Sequence, residues 1–489
     1  MQPFSYRNVL SIMKPMDRID DARSRLQLLK MEELKSAGLI PKGGLYYPTI
    51  YYPPIPMYGS NDEAGILEGL AYDEARPAAV YIHIPFCRSR CLYCHWMVNV
   101  DSTEREIDDY LGSLAMEMAL WKEKFGARTI QPRSVLVGGG TPTALSPKQT
   151  GRLFRDLRAS MDFGKCAQIT CETEPGSLLG KPGFDKLQVM KDHGVDRVSL
   201  GVQAFDDESL KDMGRRHSAA DVMKAMEQIR KVGFKSLSVD LIYGYPGCTP
   251  EKWLTTLETA LSLDVDAFQL YRLRIVPHGD RVGTIKTRFD ASPEIFPTVD
   301  DIYIMKQLGS LVAGRGGLTE TSRRLFAKGP AHTSHYLADH TDGLSDVIGF
   351  GASSWSNIQG RFYLNTGESL ARYAAFLRDG MLPINRGKAR TADDERRWAV
   401  AVTLKHNGVP KTRFRELTGV PVNDAFQRQI ESLKKYGLVE EDEDTLKLTG
   451  RGIFFADEVV TQFYHPRYMP FPKSAYAEGD LNPFSHDPS

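Results

Sequence analysis

The sequence predicts an α/β fold, a parallel sheet curved into a partial (β/α)6 barrel, with an N-terminal arm before it and a C-terminal winged-helix-like domain after it. Between about 79 and 275, short runs rich in Val, Ile and Leu alternate with longer amphipathic stretches at helical spacing, which is the pattern of parallel strands joined by crossover helices. Three cysteines, Cys87, Cys91 and Cys94, follow the first of these runs, at the strand end where such folds carry their functional loops. Beyond about 390 the pattern changes to short helices and a hairpin. The expected division is 1–76 for the arm, 77–385 for the barrel and its extension, and 386–489 for the small domain and tail.

The 489 residues allow a large core, and 62 basic side chains balance 62 acidic ones, so overall charge points to neither a nucleic-acid nor a membrane-surface partner. Residues 1–18 lack the apolar core of a signal peptide, and no uninterrupted apolar run reaches the ~18 residues needed to cross a bilayer. A cytoplasmic protein with no membrane partner is expected. Six cysteines, three in one loop, do not resemble a disulfide framework.

In the arm, a charged helix-compatible stretch near 17–37 precedes the aromatic, proline-rich run 46–54. Prolines remove backbone donors and favour extended conformations, so this run is expected to lie along another surface. Strands are expected at 80–84, 135–137, 168–172, 197–200, 237–242 and 267–270. The clearest helix spans 103–125: Thr103 and Glu106 form a capping box, and Ile107, Leu111, Leu114, Met118 and Trp121 share one face. In the small domain, Phe426, Ile430 and Leu433 form a helical stripe, and 438–439 with 446–448 read as a wing. Its tip, 440–444, carries five consecutive acids, which disfavours phosphate contact; the domain is expected to pack over the barrel mouth.

The Cys-x3-Cys-x2-Cys spacing suits three irons of a 4Fe-4S cluster and leaves the fourth without a protein ligand. The alternative is a Cys3His zinc site completed by His95. An open cluster iron can be chelated by the amino and carboxylate groups of S-adenosylmethionine (SAM), and reduction would then break a C–S bond homolytically to leave a 5′-deoxyadenosyl radical. Such a ligand needs backbone close by, a cation for its carboxylate and an acid for its ribose. The glycine turn 138–143 lets backbone approach closely, Glu172 ends a strand, Arg215 offers a bidentate cation, and Asp240 is an ionisable group inside an apolar strand.

Residues 81–94, the turn 138–143, the run 172–175, the run 197–205 and the run 240–246 together resemble the radical SAM enzymes of the oxygen-independent coproporphyrinogen III dehydrogenase (HemN-like) family. The similarity is ordered over about 80 to 280, and 396–463 resembles that family's C-terminal domain. It implies that Cys87, Cys91 and Cys94 bind the cluster, that Tyr81, Gly139, Gly140, Thr141, Glu172, Arg215 and Asp240 contact SAM, and that Gln203 lies near a second SAM, so one or two SAM molecules are expected. An electron donor such as flavodoxin or ferredoxin is implied. Family members with the decarboxylase activity carry a fourth cysteine where this chain has Trp96. The expected function is therefore alkylation, commonly methylation, or other remodelling of a small molecule or tetrapyrrole. Alternatives are oxidative decarboxylation of coproporphyrinogen III, 3-amino-3-carboxypropyl transfer, and haem chaperoning, with His83, His95, His332, His335 or His465 as candidate axial ligands.

Overall fold

The computed structural model describes residues 15–44, 46–70, 72–74, 76, 78–275 and 284–486, so the first 14 residues of the expected arm lie outside the described residues. Six strands form its centre: β1 (Ala78–Ile84), β2 (Pro132–Gly139), β3 (Gln168–Thr173), β4 (Arg197–Gln203), β5 (Ser236–Tyr243) and β6 (Ala267–Arg272). They pair in parallel and in sequential order. A doubly wound sheet reverses direction midway. Here every right-handed crossover steps the same way, which puts the helices on one face and lets the twist roll the sheet into a partial barrel.

The sheet continues past both ends of this core. Beyond β6 lies the antiparallel hairpin β7 (Thr319–Ser322) and β8 (Leu325–Ala327). Beyond β1 lie β9 (Asp346–Phe350), β10 (Trp355–Ile358), β11 (Arg361–Asn365) and β12 (Ile384–Ala389), so that β7 and β12 are the two free ends. Strand β12 crosses the boundary expected at 385.

The helix Glu104–Lys124 starts at the expected capping box, and its stripe Ile107, Leu111, Leu114, Met118 and Trp121 is buried. The apolar members of β4 and β5, Val198, Leu200, Val202, Val239 and Leu241, are fully buried in the main core. The residues alternating with them are polar: Arg197, Ser199 and Gln203 on β4, Ser236, Ser238 and Asp240 on β5, and Gln168, Thr170 and Glu172 on β3. Period-two geometry puts these on the opposite, concave face, so the barrel interior is a polar chamber.

The helix His335–Thr341 floors this chamber. Gln168, at the start of β3, donates to Thr333 O (3.0 Å) and accepts from His335 N (3.0 Å), and Ser134 near the start of β2 donates to Asp339 (2.6 Å). The arm closes the side. At one end the Tyr46 ring lies 4.4 Å from the Arg272 guanidinium, and its hydroxyl donates to Asp457 (3.0 Å) and accepts from Arg323 (3.1 Å). At the other, Gly387 N donates to Gly59 O (3.2 Å) and Ser60 bridges Arg386 of β12. Residues 46–61 thus cross from the β7–β8 hairpin to β12, the two free ends of the sheet. The expectation that this run lies along another surface is met, and that surface is the lateral opening.

The small domain holds β13 (Val409–Pro410), β14 (Val439–Glu441) and β15 (Thr445–Leu448), ordered 13-15-14, with Phe426, Ile430 and Leu433 buried beneath. It does not follow the expectation of packing over the mouth. Phe454 and Phe455 pack on Tyr303 (6.0 Å each), Tyr464 donates to Tyr51 O (3.1 Å), and the Thr49 amide and hydroxyl both donate to Asp457 (2.9 and 2.8 Å). The apolar back of the arm offers the surface to cover, so the domain docks there. Its acidic tip is partly neutralised, since Glu441 pairs with Lys411 (2.7 Å) and with Lys434. No helix among the described residues is long and apolar enough to cross a membrane.

Candidate functional site

The cysteine loop leaves the C-terminal end of β1. Leu92 N donates to Met213 O (3.1 Å), Thr284 Oγ1 donates to Leu92 O (2.9 Å), and Arg88 donates to Gly176 O (3.1 Å), so neighbouring strand-end loops hold it on both sides. Cys87 Sγ lies 3.5 Å from Thr141 Oγ1, and Arg215 Nη1 donates to Cys91 Sγ (3.3 Å). Burial, resisted by the Thr141 hydrogen bond, pushes the Cys87 thiol up to about 12, so a metal must replace its proton to bind.

The zinc alternative needs four ligands converging on one point. Among the described residues no group of three His, Cys, Asp or Glu side chains does so, and the His95 ring turns its Nε2 to Arg274 O (3.2 Å). The three thiols on one loop remain a donor set suited to a cluster, whose irons are separate points.

The glycine turn ends β2 and serves mainly by its lack of side chains. A Cβ on Gly140 would meet Phe86 O at 2.9 Å and Cys87 Sγ at 3.0 Å, and one on Gly138 would meet Glu172 Oε2 at 2.6 Å. Gly139 takes φ of +113°, which a glycine adopts without strain. Two of the turn's amides are already committed: Gly139 N donates to Glu172 (3.1 Å) and Gly140 N to Ile84 O (2.9 Å). What this turn offers a ligand is space.

Glu172 and Asp240 face the chamber together. Burial and the neighbouring Asp240 raise Glu172 to about 7, against the Gly139 hydrogen bond; burial raises Asp240 to about 6, against Arg197 and the Ser199 hydroxyl (3.2 Å). Both can therefore hold or yield a proton near neutrality. Tyr81 lies beside Glu172 and bonds His83 Nδ1 (3.0 Å), with Tyr336 of the floor 6.2 Å away, ring to ring. Gln203 ends β4 in the left-handed region (φ +70°) and is 9% exposed. Arg215 does not present the free bidentate fork expected of it. Its Nη1 is on Cys91, and Nη2 donates to Gly201 O (2.7 Å) and lies 3.8 Å from Glu174; only Nε lacks a partner among the described residues.

Several residues at this site escaped the sequence reading. Arg197, 3% exposed, faces Asp240, Tyr271 and Glu172 from the foot of β4, and its Nε has no partner among the described residues. Arg274 follows β6 and is lowered to about 10 by burial and the neighbouring Arg324. Tyr51 of the arm is buried within the electrostatic field of Arg274 and Glu172. An arginine alternating with the apolar residues of a strand was a visible signal; nothing in 46–54 indicated which surface it would line.

The residues fit a cluster and a nucleoside-bearing amino acid: three thiols, a turn stripped of side chains against one of them, an acid pair below, and buried guanidinium nitrogens left unpaired. Comparison with known proteins agrees. Residues 81–260 match the Radical SAM superfamily, and 403–455 match the HemN C-terminal domain. The chain is 29% identical to the heme chaperone HemW of Bacillus subtilis (strain 168), over 79% of this chain and 98% of that one. It is 28% identical to the oxygen-independent coproporphyrinogen III oxidase of Escherichia coli (strain K12), over 85% and 92% respectively. The structure of coproporphyrinogen III oxidase (HemN) from Escherichia coli, a radical SAM enzyme, superimposes with a TM-score of 0.72 at 26% identity, covering 86% of this chain and 96% of that one. The chain thus carries a Radical SAM domain at 81–260 and a HemN C-terminal domain at 403–455, and over most of its length it is similar to HemN and HemW proteins.

Proposed function

We propose that this protein is a radical SAM enzyme that attaches a carbon fragment of SAM, commonly the methyl group, to a tetrapyrrole or another carboxylate-bearing small molecule. Cys87, Cys91 and Cys94 would hold the 4Fe-4S cluster, and Tyr81, Gly139, Gly140, Thr141, Glu172, Gln203, Arg215 and Asp240 would seat one SAM or two. Bound there, the cluster supplies the electron that cleaves SAM reductively. The observation that carries the reading is the thiol triplet at the C-terminal end of a barrel strand whose interior neighbours are polar, with Gly140 backed directly onto Cys87.

The chain's own residues do the rest. Arg197 and Arg274 offer the chamber positive charge for a substrate carboxylate. Glu172 and Asp240, with raised proton affinities, can accept a proton from the reacting carbon, and their oxygens can accept hydrogen bonds from SAM's ribose hydroxyls. The arm and the floor helix keep bulk water from the chamber's side and base, which protects reactive carbon centres. An electron donor of the flavodoxin or ferredoxin type would serve it in a cytoplasmic setting. Transfer is favoured over decarboxylation because Trp96 stands where the decarboxylating relatives carry a further cysteine.

A second reading, oxidative decarboxylation of coproporphyrinogen III, draws support from the close superposition on the Escherichia coli oxidase. Haem chaperoning draws support from the HemW relatives. Anaerobically reconstituted protein with dithionite, SAM and coproporphyrinogen III separates them by mass spectrometry. S-adenosylhomocysteine with 5′-deoxyadenosine is the expected outcome for methyl transfer; 5′-methylthioadenosine would replace it by 3-amino-3-carboxypropyl transfer. Protoporphyrinogen would establish the decarboxylase, and stoichiometric haem uptake with no SAM cleavage by a fully loaded protein would refute an enzyme.

A further inference from the structure

Glu174 and His217 stand behind Arg215, away from the chamber. Arg215 and His217 sit two apart on the loop 215–217, and both side chains close on the Glu174 carboxylate. Glu174 Oε1 accepts from His217 Nδ1 (2.7 Å) and lies 3.8 Å from Arg215 Nη2. Its Oε2 accepts from Ser177 N (2.9 Å). Burial alone would raise this carboxyl; the His217 hydrogen bond and the Arg215 charge outweigh that and hold it at about 2.

The network runs further. Ser177 Oγ lies 2.6 Å from Thr143 Oγ1, which accepts from Glu174 N (3.3 Å), and the buried Lys186 ammonium donates to both Thr143 O (2.5 Å) and Ser177 O (3.1 Å). Thr143 ends the glycine turn, and Arg215 touches Cys91. Hydrogen bonds from the glycine turn to Glu174, the 3.8 Å ion pair from Glu174 to Arg215 and the Arg215–Cys91 hydrogen bond together link the glycine turn to the cysteine loop.

We propose that Glu174 and His217 are positioning residues that lock the Arg215 guanidinium against Cys91, and through it set the seat of SAM and the potential of the cluster. This rests on the radical SAM reading of the site. Neither side chain bonds a cluster cysteine directly: Glu174 reaches Cys91 through Arg215, and the glycine turn through Ser177 and Thr143.

The test uses the full-length holoprotein of the wild type, His217→Ala, His217→Asn and Glu174→Gln. An asparagine amide can stand in for the Nδ1–H donor, whereas alanine cannot. Iron and sulfide content, the dissociation constant for SAM, the cluster midpoint potential and the electron paramagnetic resonance of the reduced cluster with SAM are measured for each. With iron loading unchanged, His217→Ala and Glu174→Gln are expected to weaken SAM at least tenfold and shift both potential and spectrum, and His217→Asn to restore affinity to within about threefold. Wild-type affinity, potential and spectrum in loaded His217→Ala and Glu174→Gln overturn the proposal. So does loss of the cluster in His217→Ala that His217→Asn does not repair, which marks a purely structural role. A wild type that loads no four-iron cluster overturns the underlying reading instead.

Discussion

Replacing Asp457 tests whether the arm is held by one buried charge. Asp457 is 5% exposed and Arg323 8%, and the two are in direct contact. The same carboxylate receives the Thr49 amide and hydroxyl and the Tyr46 hydroxyl. Asp457→Asn keeps an acceptor for Thr49 but strands the guanidinium, with Tyr46 as its remaining partner. Breaking a buried pair from one side costs about 3–5 kcal/mol, and the retained acceptor places this variant near the lower figure. Asp457→Ala forfeits the hydrogen bonds as well, at about 1 kcal/mol each, and should approach about 5 kcal/mol. The double variant Asp457→Asn with Arg323→Met removes the stranded charge and should recover most of the loss.

The pH dependence of this deficit has a definite sign. Burial would raise the Asp457 carboxyl, but Arg323 and its neighbours hold it well below the usual carboxylate range. A folded-state value below the unfolded ~3.9 gives stability that is complete above about pH 5 and drains away as pH falls. The deficit of Asp457→Asn should therefore be flat from pH 8 to 5 and shrink below 4. Urea titration with tryptophan fluorescence reads the stability, and limited proteolysis within 46–61 reads the arm. A deficit under about 0.5 kcal/mol at pH 7, one that grows on acidification, or an arm as resistant as in the wild type would refute the reasoning.

Three further outcomes are expected. Thr103→Ala, which removes the hydroxyl capping Glu104–Lys124, should cost about 1 kcal/mol in denaturant titration and leave iron loading intact. Gly140→Ala must push its methyl into Phe86 O and Cys87 Sγ, so it should fold with near-wild-type circular dichroism yet bind substoichiometric iron on reconstitution. Glu117 is raised to about 7 by burial, against hydrogen bonds from Tyr373 and Gly351 N (2.5 and 2.7 Å). Its folded value exceeds the unfolded ~4.3, so the stability it lends is full below that value and is lost as pH rises through 7, a fall of a few kcal/mol that Glu117→Gln should flatten.

The barrel was legible because each strand carries branched or aliphatic residues in a short run, continuous or alternating, and each helix carries an apolar stripe, signals that neighbouring contacts do not override. Strand β1 was expected at 80–84 and spans Ala78–Ile84; the helix expected at 103–125 spans Glu104–Lys124. Sequential strand order, which decides for a barrel over a doubly wound sheet, is a property of pairing and is written in no single segment. The cysteine loop, the glycine turn and Asp240 were visible as residue types out of place. Arg215 was visible too, but its partners were not, since Gly201 and Glu174 reach it from other strand ends.

The arm shows where local reasoning stops. Prolines in 46–54 dictate an extended chain with few donors, and an extended chain must find its partners elsewhere. Which ones depends on a long-range fact: the sheet has two free ends with a gap between them, and one acid 408 residues downstream of Thr49 faces that gap. The chamber's polarity, by contrast, was written locally. A parallel strand buried on both faces reads as nearly continuous hydrophobicity; β3, β4 and β5 instead alternate, with Gln168, Thr170 and Glu172, Arg197 and Ser199, and Ser236, Ser238 and Asp240 on one face. So many buried polar groups destabilise a core that merely packs. They are consistent with a cavity that takes a polar ligand, and this links the strand pattern to the chemistry of the loop above it.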